Sequence, residues 1–149
     1  MLNLVECVPN FSEGRRPEVI EAIAAAIRSV PGIRLLGTDA DPDHNRTVMT
    51  FVGEPAPVEE AAFRAIADAQ KHINLDEHQG EHPRLGATDV CPFIPVSGVS
   101  MAECVAMAQR VGARVGQALG IAVYLYGEAA TRPEREKLAT IRKGEYELW

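Results

Sequence analysis

A short apolar-rich run from Leu4 to Val8 stops at Pro9-Asn10, which predicts a first strand ending in a polar loop. Pro17 suits the first turn of a helix, and Val19, Ile23, Ile27 and Val30 recur at helical spacing until Pro31-Gly32 ends the pattern. Ile33 to Gly37 reads as a second strand and Thr47 to Val52 as a third, hairpin-like partners across the polar run Thr38 to Asn45. Val58, Ala62, Ala65, Ile66 and Ala69 mark a second amphipathic helix that finishes near His72 or Ile73, followed by a loop from Asn74 to Pro83. Val90 to Val96 is a fourth strand, irregular or near an edge because Pro92 and Pro95 each lack a ladder donor. Ser100 with Glu103 forms a capping box opening a third helix to Leu119, stopped by Gly120. Ile121 to Tyr126 is a fifth strand, and Thr131 with Glu134 caps a last helix reaching Gly144.

The predicted order is β-α-β-β-α-β followed by α-β-α. It matches the split βαβ of an α+β ferredoxin-like sandwich, with helices on one face of a mostly antiparallel sheet. The direct passage from the second strand to the third, with no helix between, speaks against a doubly wound parallel sheet. The 149 residues fit one domain, and neither an internal repeat nor a low-complexity tract is present.

Composition narrows the function classes. An apolar fraction of 46% with 24% charged residues is ordinary for a globular protein, which sets aside disordered and fibrous classes. The net charge of −6, with 15 basic residues scattered among 21 acidic ones, argues against nucleic acid as a partner. No apolar run approaches the roughly 20 residues of a membrane helix, and the start lacks a secretory pattern, so a cytoplasmic protein without membrane contact is expected. Cys7, Cys91 and Cys104 are widely spaced within apolar stretches, as reduced core thiols would be.

Candidate chemistry gathers in the polar segments after the first and second strands and before the fourth: Asn10, Ser12, Glu13, Arg15, Asp39, His44, Asn45, Arg46, His82, Arg84 and Asp89. Imidazole, carboxylate and guanidinium groups together suit an anionic substrate whose reaction moves protons. The competing reading makes these turn and capping residues, chosen for backbone reasons. His82 is the best base candidate, since Pro83 restricts it to extended geometry at a strand mouth and imidazole titrates near neutral pH. A structural, hydrogen-bonded histidine remains the alternative. His78-Gln79-Gly80-Glu81-His82 formally matches a zinc motif, but Gly80 and Pro83 oppose the helix that would put both histidines on one face. Asp39-x-Asp41-x-Asp43 lacks the glycine and distal glutamate of a calcium loop, so no metal is expected. Serine-nucleophile and phosphate-cradling glycine patterns are absent.

Three segments occur in order: Val5-Glu6-Cys7-Val8-Pro9-Asn10-Phe11-Ser12-Glu13-Gly14-Arg15, then Asp39-x-Asp41-x-Asp43-His44-Asn45-Arg46, then His82-Pro83-Arg84-Leu85-Gly86-Ala87-x-Asp89-Val90-x-Pro92-Phe93-Ile94-Pro95-Val96. Together they resemble the N-terminal subdomain of glutamate formimidoyltransferase, which in animals is fused to a cyclodeaminase. The resemblance implies transfer of a formimino group from N-formimino-L-glutamate to tetrahydrofolate during histidine breakdown, with tetrahydrofolate as co-substrate and no metal. By it, His82 is the catalytic base and acid, and Asp39 orients His82 or steadies the cationic amidine. Arg15, Arg46 or Arg84 then holds substrate carboxylates, while Asn10, Glu13, His44, Asn45 and Asp89 line the substrate and folate site. It further implies a second, C-terminal subdomain beyond residues 1–149, with folate in a tunnel between the two, and a homodimer or an association with that subdomain. Two rival readings are a non-catalytic ligand-binding or assembly domain, and a metal-dependent hydrolase using His78 and His82.

Overall fold

The computed structural model describes residues 2–73, 87–121 and 123. Their elements run β1 (Leu4–Cys7), β2 (Asn10–Phe11), α1 (Pro17–Arg28), β3 (Arg34–Asp41), β4 (Arg46–Gly53), α2 (Pro55–His72), β5 (Thr88–Val90), β6 (Phe93–Ser97) and α3 (Met101–Leu119). Pro17 and Pro55 open their helices where a missing N–H costs no helical bond. The capping box of α3 is formed, with the Ser100 hydroxyl accepting from the Glu103 amide at 3.1 Å, and Gly120 takes the left-handed conformation that closes the helix.

Every strand pairing is antiparallel. β4 is the shared member. One of its edges carries β3, and its other edge carries β2 near Thr47 and Val48 and β1 near Phe51 to Gly53. β6 extends the sheet beyond β1, and β5 extends it beyond β2. The outermost pair of strands is thus one run broken at Cys91-Pro92, alongside a β1/β2 run broken at Val8-Pro9. The two breaks answer each other across the sheet: the Val8 amide donates to the Pro92 carbonyl at 3.3 Å, and the Pro9 carbonyl accepts from the Met49 amide at 3.1 Å. A proline sits in each break because the local ladder asks it for no donor.

The core lies between one sheet face and the helices. Val5, Cys7, Phe11, Met49 and Phe51 are fully buried, against Ile23 and Ile27 of α1, Val58, Ala62 and Ala65 of α2, and Met107 of α3. Alanines along the buried stripe of α2 let it approach α1 and β1 closely, and burial of these apolar groups is the main stabilising term of the fold.

The α+β class, the antiparallel sheet and the three described helices agree with the sequence pattern. Three expectations need correction. The fourth strand is two strands, and its first half begins earlier, at Thr88. Asn10 belongs to β2 rather than to a loop. The second strand runs on to Asp41, so Asp39 sits in a ladder opposite Val48, where pairing with β4 outweighs the weak strand propensity of Asp. The loop from Asn74 to Pro83, the last helix and all of the fifth strand but Ile121 and Val123 lie outside the described residues. None of the described helices is long and apolar enough to cross a membrane.

Candidate functional site

Strand pleating sends successive side chains to opposite faces, and on β4 it divides two kinds of residue. Thr47, Met49, Phe51 and Gly53 are buried toward the helices, whereas Arg46, Val48, Thr50 and Val52 face the other way and are only half-buried. Residues directly opposite one another in an antiparallel pair share a face. Asp39 and Asn10 both stand opposite Val48, and Asp41 stands opposite Arg46. Asn10, Asp39, Asp41 and Arg46 therefore lie on one face, the one turned away from the core. Farther along the same face, Glu6 pairs with Val52 and Ile94, and Ile94 is exposed. Arg46 is the tightest of these. Its Nε is buried and has no hydrogen-bond partner among the described residues.

Two loops close one end of this face. The β3–β4 turn is shaped by Asp41, whose carboxylate accepts from the amides of Asp43 and His44 at 3.1 and 3.2 Å and meets His44 Nδ1 at 2.6 Å. The amide of His44, then its ring, holds the Asp41 carboxyl below the usual aspartate range. A ring held through Nδ1 turns Nε2 away from Asp41, as in a carboxylate-oriented histidine. Asn45 follows in the left-handed region, and its side chain accepts from the Gly14 amide at 2.8 Å. Arg15 Nε donates to the Pro42 carbonyl at 2.7 Å, and Thr47 Oγ1 donates to the Glu13 carbonyl at 2.5 Å. The β2–α1 loop is thus fastened to the hairpin at several points.

Glu13 satisfies the amides just ahead of α1, whose N-cap residue Arg16 makes no side-chain cap bond. One carboxylate oxygen accepts from the amides of Arg15 and Arg16, both at 3.0 Å, and the other from Arg16 Nε at 2.7 Å. Arg16 Nη2 continues to the His72 carbonyl at the end of α2, where positive charge is favoured. At 3% exposure, burial pushes the Glu13 carboxyl up, but the Arg16 guanidinium and the two amides outweigh it and hold the group below the usual glutamate range. The sign follows from that depression. Glu13 adds stability above the ordinary glutamate range, and that share is lost as pH falls through its lower folded value. Glu13→Gln should therefore flatten the acid limb of a stability-against-pH curve measured by denaturant melts; an unchanged limb would show that the latch carries no charge.

The remaining candidates separate. Asp89 is 7% exposed in β5, between Thr88, which pairs with Phe11, and Val90, which pairs with Asn10 across a register shift. His82 and Arg84 lie outside the described residues. By sequence Asp41 is weighed only as part of a metal loop, and Glu6 is not offered as a site residue; for Glu6 the signal is the alternation of Val5, Glu6 and Cys7 in a half-buried strand. Cys91 is half-buried rather than core, whereas Cys7 and Cys104 are buried. No group of three or more His, Cys, Asp or Glu suited to holding a metal occurs among the described residues.

Residues 4–149 match the family model described as formiminotransferase domain, N-terminal subdomain. The chain is 58% identical over 147 residues to the formimidoyltransferase-cyclodeaminase of Mus musculus, covering 99% of this chain and 27% of that protein. It is 47% identical over 147 residues to the glutamate formimidoyltransferase of Streptococcus pyogenes serotype M1, covering 99% of this chain and 49% of that one. The glutamate formimidoyltransferase of Thermoplasma acidophilum is 49% identical over 146 residues, which cover 98% of this chain and 48% of the relative. The chain thus spans about half the length of these microbial relatives and about a quarter of the mouse protein.

Proposed function

Because the chain belongs to the formiminotransferase family, as its N-terminal subdomain, we propose that it supplies one wall of a glutamate formimidoyltransferase site. The reaction moves the formimino group of N-formimino-L-glutamate to N5 of tetrahydrofolate, a step of histidine breakdown. The observation that carries this reading is the outer sheet face, where a carboxylate at Asp39, an amide at Asn10 and a buried guanidinium nitrogen at Arg46 stand together. One substrate there is an amidine bearing carboxylates, so it asks for both signs of charge within a few ångströms.

In this mechanism N5 of the folate attacks the amidine carbon and a tetrahedral intermediate forms. His82 takes the proton that N5 loses and returns it to the glutamate nitrogen, which leaves as a neutral amine when the intermediate collapses. Asp39 steadies the positive charge of the amidine, and Arg46, with Arg15 and Arg84, binds carboxylates. Glu13 and Asn45 act at one remove, through the loop contacts that hold Gly14 and Arg15 in place. We read the strand order as a ferredoxin-like sandwich and the outer face as the side that meets a C-terminal subdomain, the two enclosing the folate.

Arg46→Met in the full-length enzyme tests the binding role. Loss of one charge-assisted bond is worth about 1.5–3 kcal/mol. That predicts a KM for formiminoglutamate raised by roughly 10–100-fold, with kcat much less changed. A KM equal to the parent's would remove Arg46 from the site. The whole reading is tested by mixing the full-length protein with both substrates and following, by absorbance, the methenyl-tetrahydrofolate that acid forms from the product. No product under saturating substrates would leave the non-catalytic binding domain as the better account.

A further inference from the structure

The sulfurs of Cys7 and Cys91 lie 3.6 Å apart, across the line where both outer runs of the sheet break. Formimino transfer as described has no use for a thiol, yet two are in contact here. They differ in setting. Cys7 is fully buried in β1, held between β4 on one side and β6 on the other. Cys91 is half-buried and occupies the gap between β5 and β6, outside either ladder. Burial raises the Cys7 thiol well above the ordinary cysteine value, and its contact with Cys91 raises it further, so Cys7 is a poor first target for an oxidant.

We propose that Cys7 and Cys91 form a reversible thiol–disulfide couple, oxidised by hydroperoxides, with Cys91 the sulfur attacked and Cys7 the resolving thiol. In the first step the Cys91 thiolate attacks the distal oxygen of the peroxide, the O–O bond breaks, and an alcohol or water leaves, giving a sulfenic acid. In the second step the Cys7 sulfur attacks that sulfenic sulfur, its proton goes to the departing hydroxide, water leaves and the S–S bond forms. Two thiols are oxidised and one peroxide is reduced. Two successive exchanges with an external thiol restore both groups, the external pair becoming the disulfide. A disulfide holds its sulfurs at about 2.05 Å, so they must close by roughly 1.5 Å. The break at Cys91-Pro92 is where that movement is least costly, because Cys91 holds no place in a ladder while Cys7 is pinned on both sides.

The test uses the native full-length protein and one equivalent of hydrogen peroxide, followed by alkylation in denaturant, digestion without reductant and mass spectrometry. A peptide joining Cys7 to Cys91, lighter by two hydrogens and separated by dithiothreitol, is the expected result, with Cys104 still alkylated. In Cys91→Ala no link should form and Cys7 should remain alkylatable; this half-buried site tolerates the change, so the test does not depend on a Cys7 variant that fails to fold. Oxidation of Cys91 to sulfinic acid with Cys7 still free, a Cys91-to-Cys91 link between molecules, or loss of Cys104 before Cys7 would each overturn the proposal.

Discussion

Full-length enzyme carrying His82→Ala is expected to transfer the formimino group about 10²–10⁴-fold more slowly than the parent, the usual loss when a general acid–base group is removed. On the proposed mechanism the effect is large because a single imidazole would serve both halves of the reaction, taking a proton during attack and returning it during departure. Melting behaviour should be unchanged, and the pH–rate profile should lose its limb near the imidazole range. The motif His82-Pro83-Arg84-Leu85-Gly86-Ala87 carries this assignment. A variant that turns over at the parental rate would refute it.

Gly14→Ala should be the most damaging small substitution on the outer side of the sheet. A Cβ at this position would lie 2.5 Å from the Asp41 carbonyl oxygen and 2.6 Å from the amide nitrogen and carbonyl oxygen of Arg46. All three are backbone atoms of the hairpin, so no side chain can swing aside. Relief requires the β2–α1 loop to lift, which would stretch the Gly14–Asn45 bond of 2.8 Å and the Thr47–Glu13 bond of 2.5 Å. A cost of about 3 kcal/mol, at the upper end for overpacking, should appear as a lower denaturant midpoint with unchanged slope. A parental midpoint would mean that the loop does not sit against the hairpin. With the loop lifted, Arg15 loses its anchor at Pro42, and substrate affinity should fall alongside stability.

The helices were legible from strong local signals: apolar spacing with Pro17 at the start for α1, apolar spacing for α2, and for α3 the Ser100–Glu103 capping box with Gly120 at its end. The sheet was legible only in outline. Asp39-Ala40-Asp41 reads as a turn by composition, and what makes it a strand is its partner Arg46-Thr47-Val48, information that a local pattern does not contain. Site residues posed a different difficulty. Glu13 and Asn45 have the chemistry of ligand contacts, and both also satisfy amides of their own loop, a duty that composition alone does not distinguish from binding. Asp89 reads by sequence as part of a polar loop before the fourth strand, whereas it is the buried middle residue of β5, a strand of three residues that is too short for a local pattern to announce. Arg46 carries a feature that no sequence pattern announces: its buried Nε finds no hydrogen-bond partner among the described residues.

The alternation along β4 gives adjacent positions separate obligations. Met49 and Phe51 answer to the core, and a change there is felt by folding; Arg46, Val48 and Thr50 face outward, on the side where the proposed site lies. Substitutions at the alternate, outward positions of β4 should therefore leave the packing that keeps the sheet together undisturbed, so that binding and folding can be probed one residue apart on the same strand.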